Sequence, residues 1–238
     1  MSMRNKKIGS LLAAAAISAI HCLPASAAKQ PLEQKFHTKD SIVKNGYTLI
    51  FINEDSAFSM VTKQKMVDAF FTVYPKEAAR YNKATLKTVT FVIDPSYDGV
   101  AATGDGVARY NPIWLLKHPE DIDVVTHEVM HIVQAYPDDA GPGWLTEGIA
   151  DYVRYDYGVN NAAAKWALPA FAPTQHYDNA YRITARFLVW LEKNKKAGIV
   201  QTLDKSMRTK TYTPEIWKKL TGSTLDELWD AYAKQPAL

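Results

Sequence analysis

Apolar residues beyond the first 30 positions occur first as short runs and later at helical spacing. Aromatic and branched residues run together at positions 47–53 and 88–94, which predicts two buried strands. A third strand is expected at positions 107–111, after turn sequences that contain aspartate and glycine. Between the first two strands, positions 56–81 present a helical apolar face, and Pro75 should break or kink that helix.

Helical patterns dominate the chain after position 111. Apolar residues following Pro119 recur at the spacing of an amphipathic helix, which Pro137 ends. The residues of this face are Val125, Val129, Ile132, Val133 and Tyr136. Glycine and proline at positions 138–143 predict a reversal, so a second helix starting near Trp144 can return toward the first. Three further helices are expected at positions 177–195, 199–208 and 225–234.

The first 28 residues have the pattern of a removable secretory signal peptide. A basic start precedes an apolar run at positions 8–20 and the small residues Ala25-Ser26-Ala27, which suit a cleavage site. The apolar run is shorter than the roughly 20 residues of a membrane-spanning helix, which argues against an anchor. Bulky His21 before Cys22 argues against a lipoprotein. We therefore expect an exported protein, either periplasmic or extracellular.

Residues 29–238 are expected to form a single domain and to be monomeric. Positions 29–45 are polar and weakly patterned, which we interpret as an extended lead-in to the first strand. The tryptophans at 144, 166 and 190 are expected in the core.

Removing the signal peptide changes the charge of the chain. Of 28 basic residues, three (Arg4, Lys6 and Lys7) lie in the predicted signal, which leaves 25 basic against 25 acidic residues. A neutral mature chain gives no electrostatic reason to expect binding to nucleic acid or to an anionic membrane. The one cysteine, Cys22, would also be removed. Any bound metal must therefore be held by histidine, aspartate or glutamate.

The most informative motif is His127-Glu128-Val129-Met130-His131. Residues four apart lie on one face of a helix, so His127 and His131 can direct two imidazoles at one metal ion. Glu147, on the helix that follows the reversal, is the candidate third ligand. Two imidazoles and one carboxylate form a ligand set typical of catalytic zinc, with the fourth position left for water. The sequence therefore predicts a hydrolase with one zinc ion.

Two more carboxylates have expected roles around this ion. Glu128 is placed beside the zinc-bound water, whose proton it should accept as general base and later pass to the leaving amine. Asp151 follows Glu147 by one helical turn and can accept the outer N–H of a ligand histidine. The alternative for Asp151 is a solvated charge on the helix surface.

A donor is also needed for the oxyanion of the tetrahedral intermediate. The residue patterns alone do not choose among the candidates. These are Tyr152, Tyr155, Tyr157, Tyr177, Tyr181, Arg182 and His176.

Four ordered motifs together resemble the basic secretory protein family of plants and bacteria. They read His127-Glu-Val-Met-His131-Ile-Val-Gln134, Gly143-Trp-Leu-Thr-Glu-Gly-Ile-Ala-Asp-Tyr-Val-Arg154, Ala180-Tyr-Arg-Ile-Thr-Ala-Arg-Phe-Leu188 and Leu225-Asp-Glu-Leu-Trp-Asp-Ala-Tyr232. The resemblance covers about positions 45–235. It implies an α+β, zincin-like fold: a small N-terminal mixed sheet with helices, an active-site helix lining a cleft, and a C-terminal helical part.

The resemblance also implies site roles. His127 and His131 match the zinc histidines, Glu128 the catalytic glutamate and Glu147 the third ligand, and Tyr181 becomes the preferred oxyanion donor. The neutral mature charge departs from the family's "basic" label.

The function expected from the sequence is a secreted zinc metallopeptidase that acts on a peptide or protein substrate. Two alternatives remain: a zincin-like binding protein with a structural metal, and a zinc amidase acting on cell-wall linkages. If the strand at positions 107–111 forms the sheet edge beside the metal, its backbone could bind an extended peptide by strand addition.

Overall fold

Five strands form one mixed sheet in the order β1-β2-β3-β5-β4. The computed structural model describes residues 37–238, so the predicted signal peptide lies outside the described residues. The strands are β1 (Thr38–Lys44), β2 (Tyr47–Asn53), β3 (Thr88–Ile93), β4 (Ala101–Gly104) and β5 (Val107–Tyr110). Strands β2, β3 and β5 run parallel, whereas β1 and β4 pair antiparallel with β2 and β5.

Helices fill most of the remaining chain. They are α1 (Met60–Arg80), α2 (Pro112–Lys117), α3 (Val124–Gln134), α4 (Gly143–Tyr157), α5 (Tyr181–Asn194), α6 (Ile199–Arg208), α7 (Glu215–Thr221) and α8 (Leu225–Lys234), with a 3-10 turn at Tyr177–Asn179. The segregated sheet and helices confirm the predicted α+β class. Among the described residues, no helix combines the length and the apolar character needed to cross a membrane.

The helix α1 links the parallel strands β2 and β3 and packs the sheet from one face. Phe70 lies at the centre of this contact, with ring centroids 5.0 Å from Tyr74 and 5.5 Å from Phe91. Pro75 neither ends nor interrupts α1. Buried residues on both sides of the proline hold the helix against the sheet, and this packing offsets the lost backbone hydrogen bond.

The sheet differs from the prediction at both edges. Within the predicted lead-in, residues 38–44 form the edge strand β1, whose side chains are mostly exposed and therefore give no apolar signal. At the other edge, β5 is paired on both sides, so the edge position considered for residues 107–111 belongs to β4. β4 packs against α3, the helix that carries the histidine motif.

Helix α3 begins later than the sequence pattern suggests. The acidic residues that follow Pro119 do not form its first turn; instead they bind distant partners. Glu120 pairs with Lys65, and Asp123 accepts hydrogen bonds from backbone N–H groups 36 and 37 residues later in the chain. The segment before α3 is therefore fixed by tertiary contacts, not by helix capping.

Helices α4 and α5 approach closely at Gly148. A methyl group added there would overlap the side chain of Thr184, which is fully buried. Glu147 and Tyr181 lie next to this crossing, one on each helix. The missing side chain of Gly148 thus lets the two helices bring a carboxylate and a phenol to the same cleft.

Replacing Gly148 with alanine is expected to lower the free energy of unfolding by about 1–2 kcal/mol. A Cβ atom on residue 148 would lie well under 3.0 Å from Cγ2 of Thr184, so the overpacking cost falls in the upper part of its range, at about 2–3 kcal/mol. Subtracting the roughly 1 kcal/mol that alanine gains over glycine in a helix leaves about 1–2 kcal/mol. Gly143→Ala is the matched control, because nothing lies within 4 Å of the added atom. Chemical denaturation of the wild type and both variants measures the free energy of unfolding. A Gly148→Ala protein as stable as Gly143→Ala would contradict the close approach of α4 and α5.

Candidate active site

The helix α3 presents His127 and His131 on one face, as their spacing predicts. Their Nε2 atoms are 3.2 Å apart. Glu147 on α4 completes the group, with its Oε2 atom 3.2 Å from Nε2 of His127 and 3.5 Å from Nε2 of His131. These three side chains form a group whose donor atoms all lie within 4.8 Å of one another.

The Nδ1 atoms of both rings form hydrogen bonds with acceptor oxygens. Nδ1 of His127 lies 2.8 Å from Oδ1 of Asp151. Nδ1 of His131 lies 2.7 Å from Oε1 of Gln134, whose Nε2 donates to the carbonyl oxygen of Thr146 at 2.9 Å. Because a carboxylate and an amide oxygen accept only, each Nδ1 carries the proton. In the neutral form of each ring, the Nε2 atom therefore carries a lone pair and faces the carboxylate of Glu147.

Three lone-pair donors that converge on one point are suited to hold a metal ion between them. At zinc–ligand distances of about 2.1 Å, tetrahedral geometry places neighbouring donor atoms roughly 3.4 Å apart. The observed separations of 3.2, 3.2 and 3.5 Å fit that value. The donor types and their spacing therefore fit a single zinc ion.

The pKa shifts of His127 and Glu147 also show that this group stabilises positive charge. Burial lowers the pKa of His127, but hydrogen bonds with Asp151 and Glu147 outweigh burial and raise this pKa to about 10. Burial raises the pKa of Glu147, whereas hydrogen bonds with His127 and His131 hold it below its ordinary value. Without a metal ion, a proton on Nε2 of His127 supplies the positive charge that faces the anionic Glu147, and a bound metal ion would take the place of that proton.

Glu128 lies outside the three-donor group and is held by the edge strand of the sheet. Its side chain is buried but lines the cleft. Thr103 on β4 donates from Oγ1 to Oε2 of Glu128 at 2.7 Å. One carboxylate oxygen is therefore fixed by Thr103, and the other remains available for a proton. No sequence pattern links Thr103 to Glu128, because the two residues meet only through the packing of β4 on α3.

Tyr181 and Arg182 are the only oxyanion-donor candidates that line the cleft within the described chain. The ring of Tyr181 stacks over His127, with centroids 6.1 Å apart and planes inclined by 20°. Its side chain remains 54% exposed and so is accessible to a substrate. The nearby carboxylate of Glu147 raises the pKa of Tyr181, which keeps the hydroxyl protonated at neutral pH.

An unusual backbone places Tyr181 over the histidine. The predicted helix at 177–195 is interrupted at Ala180, where φ is 62° and ψ is −175°. This conformation is essentially confined to glycine and costs about 1–3 kcal/mol. A hydrogen bond from Thr184 Oγ1 to the carbonyl of Tyr177 bridges the interruption. Helix α5 therefore starts at Tyr181 itself.

The three-donor group opens into one cleft of about 1210 Å³. Residues of β4, α3 and α4 line this cleft together with Tyr181 and residues 163–166. His127, Glu128, His131, Glu147, Asp151 and Tyr181 all line it. The structure thus brings together every residue that the sequence assigns to the site, and adds Thr103 and Gln134. Gln134 is three residues after His131, a helical spacing that could have revealed it.

Comparisons with known proteins agree with this picture. A family model described as a peptidase of plants and bacteria matches residues 32–232. No curated protein matches the chain. Among solved structures, Legionella pneumophila aminopeptidase A in complex with aspartic acid is similar, with a TM-score of 0.51 and 13% identity over 84% of this chain and 26% of that one. At this identity the likeness is one of fold.

Two other solved structures are similar at lower scores. An aminopeptidase N family protein from Idiomarina loihiensis has a TM-score of 0.48 and 9% identity over 83% of this chain and 46% of that one. An M1 zinc metallopeptidase from Deinococcus radiodurans has a TM-score of 0.42 and 14% identity over 84% and 50%. The chain spans about a quarter to a half of these structures.

The predicted α+β architecture is confirmed by the order of strands and helices and by the fold likeness to the Legionella enzyme. The family match covers most of the sequence and includes all four motifs that first suggested the relationship. The chain belongs to the basic secretory protein family, the peptidases of plants and bacteria.

Proposed function

We propose that this protein is an exported zinc metallopeptidase that hydrolyses peptide bonds. The observation that carries the proposal is the convergence of three lone-pair donors, from His127, His131 and Glu147, beside the carboxylate of Glu128. Such a cleft is the expected setting for peptide hydrolysis by a zincin-type protein. Export is supported by the signal-like sequence of residues 1–28.

Each residue of the site has a separate role in the proposed reaction. Zinc, when bound, would lower the pKa of a coordinated water toward about 7 and polarise the substrate carbonyl. Glu128 accepts the proton of the attacking water on the oxygen that Thr103 does not hold. The same carboxyl group then delivers this proton to the leaving amine. Asp151 and Gln134 keep both histidines in the tautomer that presents Nε2.

Tyr181 is the proposed donor to the oxyanion. Its hydroxyl is protonated at neutral pH and its ring is fixed over His127. A hydrogen bond that strengthens as negative charge develops lowers the barrier without tightening substrate binding equally. Replacing Tyr181 with phenylalanine should therefore lower kcat more than it raises KM.

The substrate is proposed to lie along β4 as an extended strand. β4 has a hydrogen-bonded neighbour on one side only, among the described strands, and it lines the cleft beside Glu128. A peptide paired with this edge would run past the metal group in a fixed register. We therefore propose strand addition at β4 and not at β5, because β5 is paired on both sides.

A mixed-proteome digest tests the proposal against its rivals. The purified protein is incubated with denatured proteins and with peptidoglycan fragments, with and without a zinc chelator, and Glu128→Gln is the matched inactive control. New peptide termini that disappear with chelator support the peptidase. Release from peptidoglycan alone would favour a cell-wall amidase, and zinc binding without cleavage of either would favour a binding protein; each of these outcomes overturns the proposal.

A further inference from the structure

Helix α4 carries one more cleft-facing residue beyond the metal group. Glu147, Asp151 and Arg154 follow one another at spacings of four and three residues, so they share one face of the helix. Arg154 lies about 10 Å along the helix from Glu147, at 1.5 Å per residue. Its side chain is 5% exposed, yet it lines the same cleft. The cleft therefore extends along α4 well beyond the three-donor group.

Arg154 and Asp121 are paired with each other in this far part of the cleft. Arg154 forms an ion pair with Asp121 through Nη2, and its Nε donates to Oδ1 of Asn161 at 3.1 Å. The other oxygen of Asp121 accepts a hydrogen bond from Nε1 of Trp114 at 2.8 Å. Because Arg154 and Asp121 neutralise each other, this pair offers a ligand no net charge, and the exposed Lys165 next to Trp166 is a cation that lines the same region.

Two indole rings form the walls of this region. Trp166 lies over the guanidinium of Arg154, with the charged carbon 4.5 Å from the ring centroid. Trp114 stacks against His118, with centroids 4.0 Å apart. Both tryptophans line the cleft and remain half-buried, and the lining residues next to Trp166 include the small Ala163 and Ala164.

Trp166 was expected in the core, and the structure contradicts this. Trp190 and Trp217 are buried in the hydrophobic core, whereas Trp166 belongs neither to that core nor to the residues packed against it. Its indole rests on Arg154 and faces the cleft. A large apolar ring held in place by a neutralised ion pair, and still accessible, is the composition of a ligand pocket.

We propose that Trp114 and Trp166 form a substrate subsite for a planar aromatic side chain. This inference rests on the proposed peptidase function and names its substrate class. Arg154, on which Trp166 rests, lies roughly 10 Å from Glu147 along α4. An extended peptide covers that length in about three residues at about 3.3 Å each, so we place the aromatic side chain about three residues from the scissile bond. Phenylalanine, tyrosine and tryptophan fit the subsite, because a flat ring can stack on indole walls without needing a charged partner.

Paired peptides that differ only in phenylalanine or alanine, at each of the three positions on either side of the scissile bond, test this subsite. The wild type should favour phenylalanine at one outer position by about 10- to 100-fold in kcat/KM, the range for burial of one apolar side chain. Trp114→Ala and Trp166→Ala should each reduce this ratio to about threefold or less. Tyr155→Ala, which removes an exposed aromatic ring on α4, should leave the ratio unchanged.

Binding to the Glu128→Gln protein separates failure of the subsite from failure of the peptidase. The same peptide pairs are titrated by calorimetry against Glu128→Gln, alone and combined with Trp166→Ala or the more conservative Trp166→Leu, after each is shown to unfold cooperatively. Tighter binding of the phenylalanine peptide, lost with Trp166→Ala, upholds the subsite even if no peptide is cleaved. Equal binding of both peptides, or a preference for glycan fragments that depends on Trp166, would overturn it.

Discussion

Replacing Glu128 with glutamine is expected to lower kcat/KM for peptide hydrolysis by two to four orders of magnitude. Proton transfer by a positioned carboxylate contributes about 10²- to 10⁴-fold, and glutamine cannot accept the proton of the attacking water. Glu128 is buried beside the three-donor group without belonging to it. The substitution should therefore remove the chemistry while the fold and the metal ligands stay in place.

The readouts for Glu128→Gln are turnover of a cleaved peptide, zinc per chain and thermal unfolding. Zinc content and the unfolding midpoint should remain close to those of the wild type. Glu215→Gln, an exposed glutamate at the start of α7, controls for loss of a carboxylate and should retain full turnover. A Glu128→Gln protein that cleaves at the wild-type rate would exclude this residue as the general base.

Replacing Glu147 with alanine should lower the affinity for zinc more than replacing Asp151 with asparagine does. A partner that only orients a ligand contributes about 10- to 100-fold to metal binding. Glu147 is one of three donors, with Oε2 at 3.2 and 3.5 Å from the two Nε2 atoms, so its loss should exceed 100-fold. Asp151→Asn, which disturbs only the outer hydrogen bond of His127, should fall within the 10- to 100-fold range.

Competition with a chelator of known zinc affinity measures this graded series. Asp156→Ala is the control on the same helix, because Asp156 is paired with Arg80 away from the three-donor group. It should bind zinc as the wild type does. Identical affinities for the wild type and Glu147→Ala would remove Glu147 from the ligand set, and a larger loss in Asp151→Asn than in Glu147→Ala would reverse the assigned roles.

The helices around the metal group could be predicted because their information is local. His127 and His131 are one turn apart, the apolar face of α3 is regular, and the reversal before α4 is marked by glycine and proline. A spacing of four residues then places Asp151 on the face of Glu147. Such patterns depend on helix geometry alone, so the sequence carries them directly.

Other features depend on contacts between distant parts of the chain and could not be predicted. Strand β1 is mostly exposed, and α2 and α7 are too short to show a helical period. Thr103 meets Glu128 only because β4, and not β5, is the edge strand. The break at Ala180 has no glycine to announce it.

The far part of the cleft also depends on contacts between distant parts of the chain and could not be predicted. Asp121 lies just before α3 in the sequence, yet it pairs with Arg154 on α4 and with Trp114 on α2. Trp166 was assigned to the core on composition alone. The network of these four residues becomes visible only when three separate segments meet.

Anomalous diffraction at the zinc edge tests the central claim most directly. Crystals grown with equimolar zinc should show one strong peak, with Nε2 of His127, Nε2 of His131 and an oxygen of Glu147 at about 2.0–2.2 Å. Glu128 should lie outside that coordination shell. A peak coordinated by other residues would contradict the account. So would the absence of a peak between these three side chains when the protein used for crystallisation carries one zinc ion per chain.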